Sequence, residues 1–242
     1  MCVPAHNEAA TVTRVVATVR HHPRVARVLV VDDGSSDDTA QLAREAGADT
    51  VPAIGATPGR PGGKGNAMAT GLKSIQTPMV VFLDADVTDA RPDWLDSLLQ
   101  PLDAHPDLVL VKAHYRRHLP GDHAGARDGG GRVNALLARP LLRALAPELA
   151  RIAQPLAGEC AARTDALRSL RLEPDYAVEI GMLLDVAHRW GPQAIGQADL
   201  GTRSHRNRPL SELEGHADAI LAAVLRRAGL ATSERELLAR IA

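Results

Sequence analysis

Cysteine, aromatic residues and long apolar runs are all scarce in this chain of 242 residues. Two cysteines, Cys2 and Cys160, with no CxxC pair, give neither a disulfide framework nor a zinc site and point to a reducing compartment. Two Trp, two Tyr and one Phe are too few for the stacking platforms of single-strand nucleic-acid binders or the aromatic belts of membrane proteins. No apolar run approaches the ~18 residues that cross a bilayer, and Met1–Glu8 lacks the charged and apolar parts of a signal peptide. The expectation is a cytoplasmic protein with no nucleic-acid and no membrane partner. A dominant charge is also missing: the formal net charge is -1, so any anion must be met by a local basic site.

What is present is an ordinary globular balance, 45% hydrophobic and 24% charged, long enough for one large domain or one domain with a smaller lobe. Val12, Val15, Val16 and Val19 recur at helical spacing. Val28–Val31 and Met79–Leu83 are short continuous apolar runs that read as strands buried on both faces. Helices are expected from Asp37 to Ala46, with Ser36 as N-cap, from Lys64 to Ser74, and from about Pro92, with brief strands near Ala48–Val51 and Leu108–Val111. Strands alternating with helices mean a mostly parallel, doubly wound α/β sheet. Tyr115–His118 then reads as a polar loop and Arg132–Ala150 as Ala/Leu-rich helices. A helix near Ala177–Trp190, a strand near Ala194–Leu200, a basic loop Thr202–Pro209 and two terminal helices from Ser211 follow. The expected division is 1–112 for one half and 113–242 for a more helical second half.

In an open parallel sheet, ligands sit beyond the carboxyl ends of the strands, and the acidic clusters fall there: Asp32-Asp33 and Asp84-Ala85-Asp86. Alternate carboxylates leave a strand end on opposite sides, so one can meet a sugar hydroxyl while the other meets a hard cation through oxygen. For Asp-Asp-Gly-Ser, a plain turn and helix cap is the competing reading. Gly62-Gly63-Lys64-Gly65 is a loop-to-helix junction where backbone N–H groups and an ammonium suit phosphate. Gly129-Gly130-Gly131 before Arg132 is a second such junction, with a guanidinium fork.

Pro4-Ala5-His6-Asn7-Glu8, Val30–Thr39, Gly63–Ala67 and Asp84-Ala85-Asp86 together resemble the nucleotide-sugar half of GT-A glycosyltransferases, the large family-2-like group. Gly130–Val133, Gln154–Glu159, Tyr176–Gly181 and His205–Leu210 narrow the resemblance to the glucosyl-3-phosphoglycerate synthases. It implies a Rossmann-like GT-A fold, a UDP-glucose donor, 3-phosphoglycerate or a related small phosphorylated acid as acceptor, retention at the anomeric carbon, Mg²⁺ (with Mn²⁺ as the alternative) and a homodimer. Residue by residue, it implies that Pro4, Ala5, Glu8, Ser35, Lys64, Asp84 and Ala85 hold the donor, with Lys64 facing the diphosphate. Asp86 and His205 would hold the metal, and Gly131, Arg132, Asn134, Asn207 and Arg208 the acceptor. Glu179 and Tyr176, with Asp86, would lie at the reacting sugar.

Two departures from that pattern set expectations of their own. Only Met1, Cys2 and Val3 precede the Pro-Ala motif, so the first strand is expected to be cut short, with lost pairing at ~1–3 kcal/mol for each buried polar group. That shortened strand leaves a non-catalytic nucleotide-sugar binder as a competing reading, and Asn134, standing where the family has Thr, leaves an enzyme acting on another small hydroxy acid or a secondary-metabolite acceptor as another.

Overall fold

In the computed structural model, which describes residues 1–118, 131–204 and 210–230, one seven-stranded sheet is packed between helices. In chain order the elements begin β1 (Cys2–Ala5), α1 (Val12–Val19), β2 (Leu29–Asp32), α2 (Thr39–Glu45), β3 (Asp49–Pro52) and α3 (Lys64–Ser74). Then come β4 (Met79–Phe82), α4 (Asp93–Ala104), β5 (Leu110–His118), a π-helical turn (Asn134–Ala138) and α5 (Arg139–Leu145). β6 (Cys160–Arg163), α6 (Thr164–Arg168), α7 (Val178–Trp190), β7 (Ile195–Ser204) and α8 (Leu210–Arg227) complete it.

The order across the sheet is β3-β2-β1-β4-β6-β5-β7. Successive side chains of a strand point to opposite faces, and here both faces are covered. Leu29, Val31, Val80 and Phe82 enter a core under α3, α7 and α8, whereas Val30, Val81 and Leu83 enter a second core with α1 and α4. The regular spacing of Val12, Val15, Val16 and Val19 buries one stripe of α1, as the periodicity predicts.

The first strand keeps its pairing with β2 in full. Cys2–Ala5 pairs in parallel with Leu29–Asp32 along its full length, and all four residues are buried. On its other side it meets β4 only at Cys2↔Phe82. The register sets the first residue of β1 beside the last of β4, at the point where the strand order reverses and a ligand crevice is expected beyond the carboxyl ends.

The sheet is mostly parallel, as expected, with four of its six pairings parallel, and three details differ from expectation. The sheet is mixed: β6, which composition does not announce, runs antiparallel between β4 and β5. Tyr115–His118 is the end of β5 rather than a loop, and Thr202–Ser204 belongs to β7, because these two polar stretches pair with each other. α2 opens at Thr39, after Asp38, and not at Asp37. The end of the expected terminal helices, 231–242, lies outside the described residues.

Candidate active site

The loops after β1 and β2 are stitched together by their own polar side chains. Asn7 adopts a left-handed backbone (φ 54°), from which its N–H donates to Ser35 Oγ at 3.0 Å and its Oδ1 accepts the Ser36 N–H at 2.8 Å. Glu8 N–H donates to Thr39 Oγ1 at 2.8 Å, and Asp37 accepts the N–H groups of Ala9 and Thr39. The Asp-Asp-Gly-Ser run is therefore partly the turn that the plainer reading allowed, and it also fixes the rim of a cleft. Pro4, Ala5, Glu8, Lys64, Asp84 and Ala85 line that cleft, of about 340 Å³, while Ser35 braces its edge through Asn7.

Asp33 carries a role the sequence reading did not give it. It is 4% exposed, and its two oxygens accept the N–H groups of Gly62 and Gly63, both at 2.8 Å. Asn66 N–H in the first turn of α3 donates to Pro174 O at 2.9 Å. Protein acceptors thus take up the Gly62 and Gly63 donors expected to meet phosphate at this junction, and that of Asn66 beside them. The flanking glycines serve close packing instead: a Cβ on Gly65 would lie 1.7 Å from Glu173 O, and one on Gly63 would lie 2.1 Å from Asp175 Oδ1. Gly65→Ala is expected to cost about 1–3 kcal/mol of stability, read as a lower denaturant midpoint, because the neighbour it strikes is backbone.

What Lys64 retains is its ammonium. Nζ lies 2.6 Å from Asp84 Oδ1 and 2.6 Å from Glu179 Oε1. Burial works against the charge, but these two carboxylates hold the Lys64 ammonium well above the ordinary lysine range. Asp84 shows the converse: burial opposes ionisation, yet Lys64 keeps its carboxyl below the usual value.

Asp86 belongs to a second network. Arg203, near the end of β7 and 6% exposed, places Nη2 3.1 Å from Asp86 Oδ1 and Nη1 2.7 Å from Glu159 Oε1. Arg203 Nη1 also donates to the Tyr115 hydroxyl at 2.8 Å, and that hydroxyl donates to Glu159 Oε2 at 3.0 Å. Neither Arg203 nor Glu159 was assigned a role from sequence. Arg203 sat in what read as a solvated basic loop, and only the pairing of β5 with β7 carries it inward.

Lys64, Asp84, Asp86 and Tyr176 line both the first cleft and an adjoining cavity of about 190 Å³. Gly131, Arg132, Asn134 and Glu179 line the second cavity, joined by Arg203 and by Leu213, His216 and Ile220 of α8. His216, also unassigned from sequence, stacks on Tyr176 with ring centroids 3.5 Å apart. Gly129, Gly130, His205, Asn207 and Arg208 lie outside the described residues. Among the described residues no group of three His, Cys, Asp or Glu side chains is placed to hold a metal ion. No helix among them is long and apolar enough to cross a membrane.

A family model described as glycosyl transferase family 2 matches residues 1–158, which agrees with a mixed α/β sheet whose cleft lies at its switch point. Fold and site together define a glycosyltransferase. Glucosyl-3-phosphoglycerate synthase of Mycolicibacterium smegmatis is 41% identical over 235 residues, spanning 96% of this chain and 78% of that protein. The synthase of Petrotoga mobilis is 34% identical over 238 residues, spanning 94% and 72%. The crystal structure of the Mycobacterium tuberculosis synthase with Mn²⁺, UDP-glucose and phosphoglyceric acid superposes with a TM-score of 0.85 at 41% identity, over 96% of this chain and 80% of that one. The same synthase has been solved with UDP, Mn²⁺ and glucosyl-3-phosphoglycerate, again at a TM-score of 0.85. The chain belongs to the glucosyl-3-phosphoglycerate synthase family.

Proposed function

We propose that the protein transfers glucose from UDP-glucose to 3-phosphoglycerate with retention at the anomeric carbon. One observation carries the reading: a larger cleft at the switch point and a smaller cavity beside it share Lys64, Asp84, Asp86 and Tyr176, so two ligands would meet at those four side chains. The larger cleft suits a nucleotide-sugar and the 190 Å³ cavity suits only a small acceptor. A division into a donor half, 1–112, and an acceptor half, 113–242, is part of the proposal; most of the larger cleft's lining comes from the first and most of the smaller cavity's from the second, with Lys64, Asp84, Asp86 and Tyr176 common to both.

In this reading Pro4, Ala5 and Glu8 hold the nucleoside end, with Ser35 set by Asn7. Lys64 carries charge toward the donor diphosphate while orienting Asp84 and Glu179. Asp84 and Ala85 hold the donor, and Glu179 and Tyr176 flank the transferred sugar. Glu179 gives an oxocarbenium-like transition state a carboxylate neighbour. Gly131, Arg132 and Asn134 hold the acceptor, with Asn207 and Arg208 from the segment after β7.

The residues present fit a hard divalent cation. Asp86 offers a carboxylate oxygen at the wall common to both spaces, the donor type a hard divalent cation takes. Asp86 and His205 would hold Mg²⁺ or Mn²⁺, which supplies neutralisation of charge on the departing diphosphate. A cytoplasmic location goes with the two buried free thiols, Cys2 and Cys160. A homodimer completes the proposal, and sedimentation tests it.

The acceptor assignment is tested by comparing 3-phosphoglycerate with glycerate. Charge-assisted hydrogen bonds to phosphate are worth ~1.5–3 kcal/mol, so 3-phosphoglycerate should lead by at least ~10-fold in kcat/KM. Arg132→Ala should erase most of that lead and leave UDP-glucose affinity intact. Equal use of glycerate by the parent, or loss of donor rather than acceptor affinity in Arg132→Ala, would overturn the assignment. Coupling of the product's anomeric proton, read by NMR, tests retention.

A further inference from the structure

Lys112 on β5 is fully buried, yet among the described residues it makes no ion pair. Its ammonium donates instead to the carbonyl oxygen of Ala157. A lysine removed from water without a contacting carboxylate is an expensive choice where an apolar side chain would fill the same space. The expense falls at one place: the Gln154–Glu159 strip that walls the smaller cavity.

That strip is held from beneath at several points. Gln154 Nε2 donates to Tyr115 O, Ala113 N–H donates to Glu159 O at 3.0 Å, and Lys112 takes Ala157 O between them. Above Ala157, Gly158 is pressed on Asp84 so closely that a Cβ there would lie 2.4 Å from both carboxylate oxygens. Leu156 and Gly158 themselves face the cavity. The geometry points to Lys112 as a positioning residue for sugar transfer, acting through the Ala157–Gly158 backbone to fix Asp84 and the floor on which donor and acceptor meet. The inference rests on the proposed transfer reaction and assigns Lys112 no contact with substrate.

Burial also makes the Lys112 ammonium lose its proton more readily than an ordinary lysine. Its titratable and charged surroundings are Cys160 and Glu159 at β6, Glu179 on α7, Lys64 on α3, Asp84 after β4, and Tyr115 and Arg203 on β5 and β7. Of these, Lys64 and Arg203 are held above their usual ranges, and burial pushes the Cys160 thiol up to about 11.

The test is Lys112→Met, which keeps the stem and removes the charge. Because the folded state holds the charged form at a penalty, the unfolded chain binds that proton more readily, so the variant should melt at or above the parent's temperature at pH 7. Its kcat, by contrast, should fall at least ~10-fold, the scale of a small misplacement at a reacting centre, with KM for UDP-glucose within about threefold. The parent's kcat should decline on the alkaline side as Lys112 deprotonates, and the variant should lack that limb. Gly158→Ala crowds the same contact from the opposite side and should give the same loss of kcat, which keeps the idea testable if the lysine variant fails to fold. Parental kcat and pH profile in Lys112→Met, or activity lost only in step with stability, would overturn the assignment. A parent inactive on 3-phosphoglycerate overturns the acceptor reading alone, since the kcat ratio is then read from hydrolysis of UDP-glucose by water.

Discussion

Lys64→Met is expected to cut kcat/KM for UDP-glucose by about 10³-fold and to remove about 3–5 kcal/mol of stability. The substitution leaves Asp84 and Glu179, both 2.6 Å from the lost ammonium, facing each other without a cation between them. One of the two then takes up a proton, and the carboxylate that the donor meets is no longer held in place. The stability loss has a pH signature. Asp84 in the folded parent ionises below its ordinary value of 3.8, so the pair's contribution is complete above that value and fades as pH falls through the lowered one. Lys64, raised above 10.5, holds its contribution up to that value and loses it only as pH climbs through the elevated one. The variant should show neither dependence. Urea melts across pH 2–5, taken with steady-state kinetics, check both halves (an approximate range around the carboxylate values); more than a tenth of parental activity would sink the role.

Asp86→Ala should lower kcat at least ~100-fold, the scale on which a site loses stabilisation of developing charge, and EDTA should do the same to the parent. The variant should also weaken Mn²⁺ binding measured by calorimetry. Removing Asp86 frees only one of the contacts of Arg203, whose bonds to Glu159 and Tyr115 remain, so the melting temperature should move little. Full activity with unchanged Mn²⁺ affinity would take Asp86 out of the metal site. A large fall in stability would mark it as part of the scaffold instead.

The parts of this molecule legible in its sequence are those whose signal is local. β2 and β4 announce themselves as continuous β-branched or apolar runs ending in acid, and the acidic ends do line the cleft. β6 reads Cys-Ala-Ala-Arg, with no β-branched residue, and is a strand only because β4 and β5 supply ladders on both sides. The same holds for the polar ends of β5 and β7, each of which is a strand because of the other. Arg203 reaches Asp86 across 117 positions and Tyr115 across 88, and meets Glu159 directly as well, so nothing in its own neighbourhood betrays it. Lys64 was legible as a site residue but not as the bridge between two carboxylates, since the second arrives on α7.

The antiparallel insertion of β6 also sets an order of assembly. β1 to β4 can associate once Phe82 has been made, but the free side of β4 has no neighbour until Cys160–Arg163 arrives, and β5 then docks on β6 rather than on β4. During synthesis, at 5–20 residues per second, that edge stays open for roughly 4–16 seconds, with its backbone donors and acceptors unpaired. A fragment ending near Val111 would carry most of the larger cleft's lining, without Asp175 and Tyr176, and yet present a bare edge strand, an invitation to pair with another chain. The reacting centre lies on both banks of this late seam, since Asp84 follows β4 and Gly158 precedes β6. A nascent chain therefore cannot acquire a complete transfer site before its sheet has been closed against self-association.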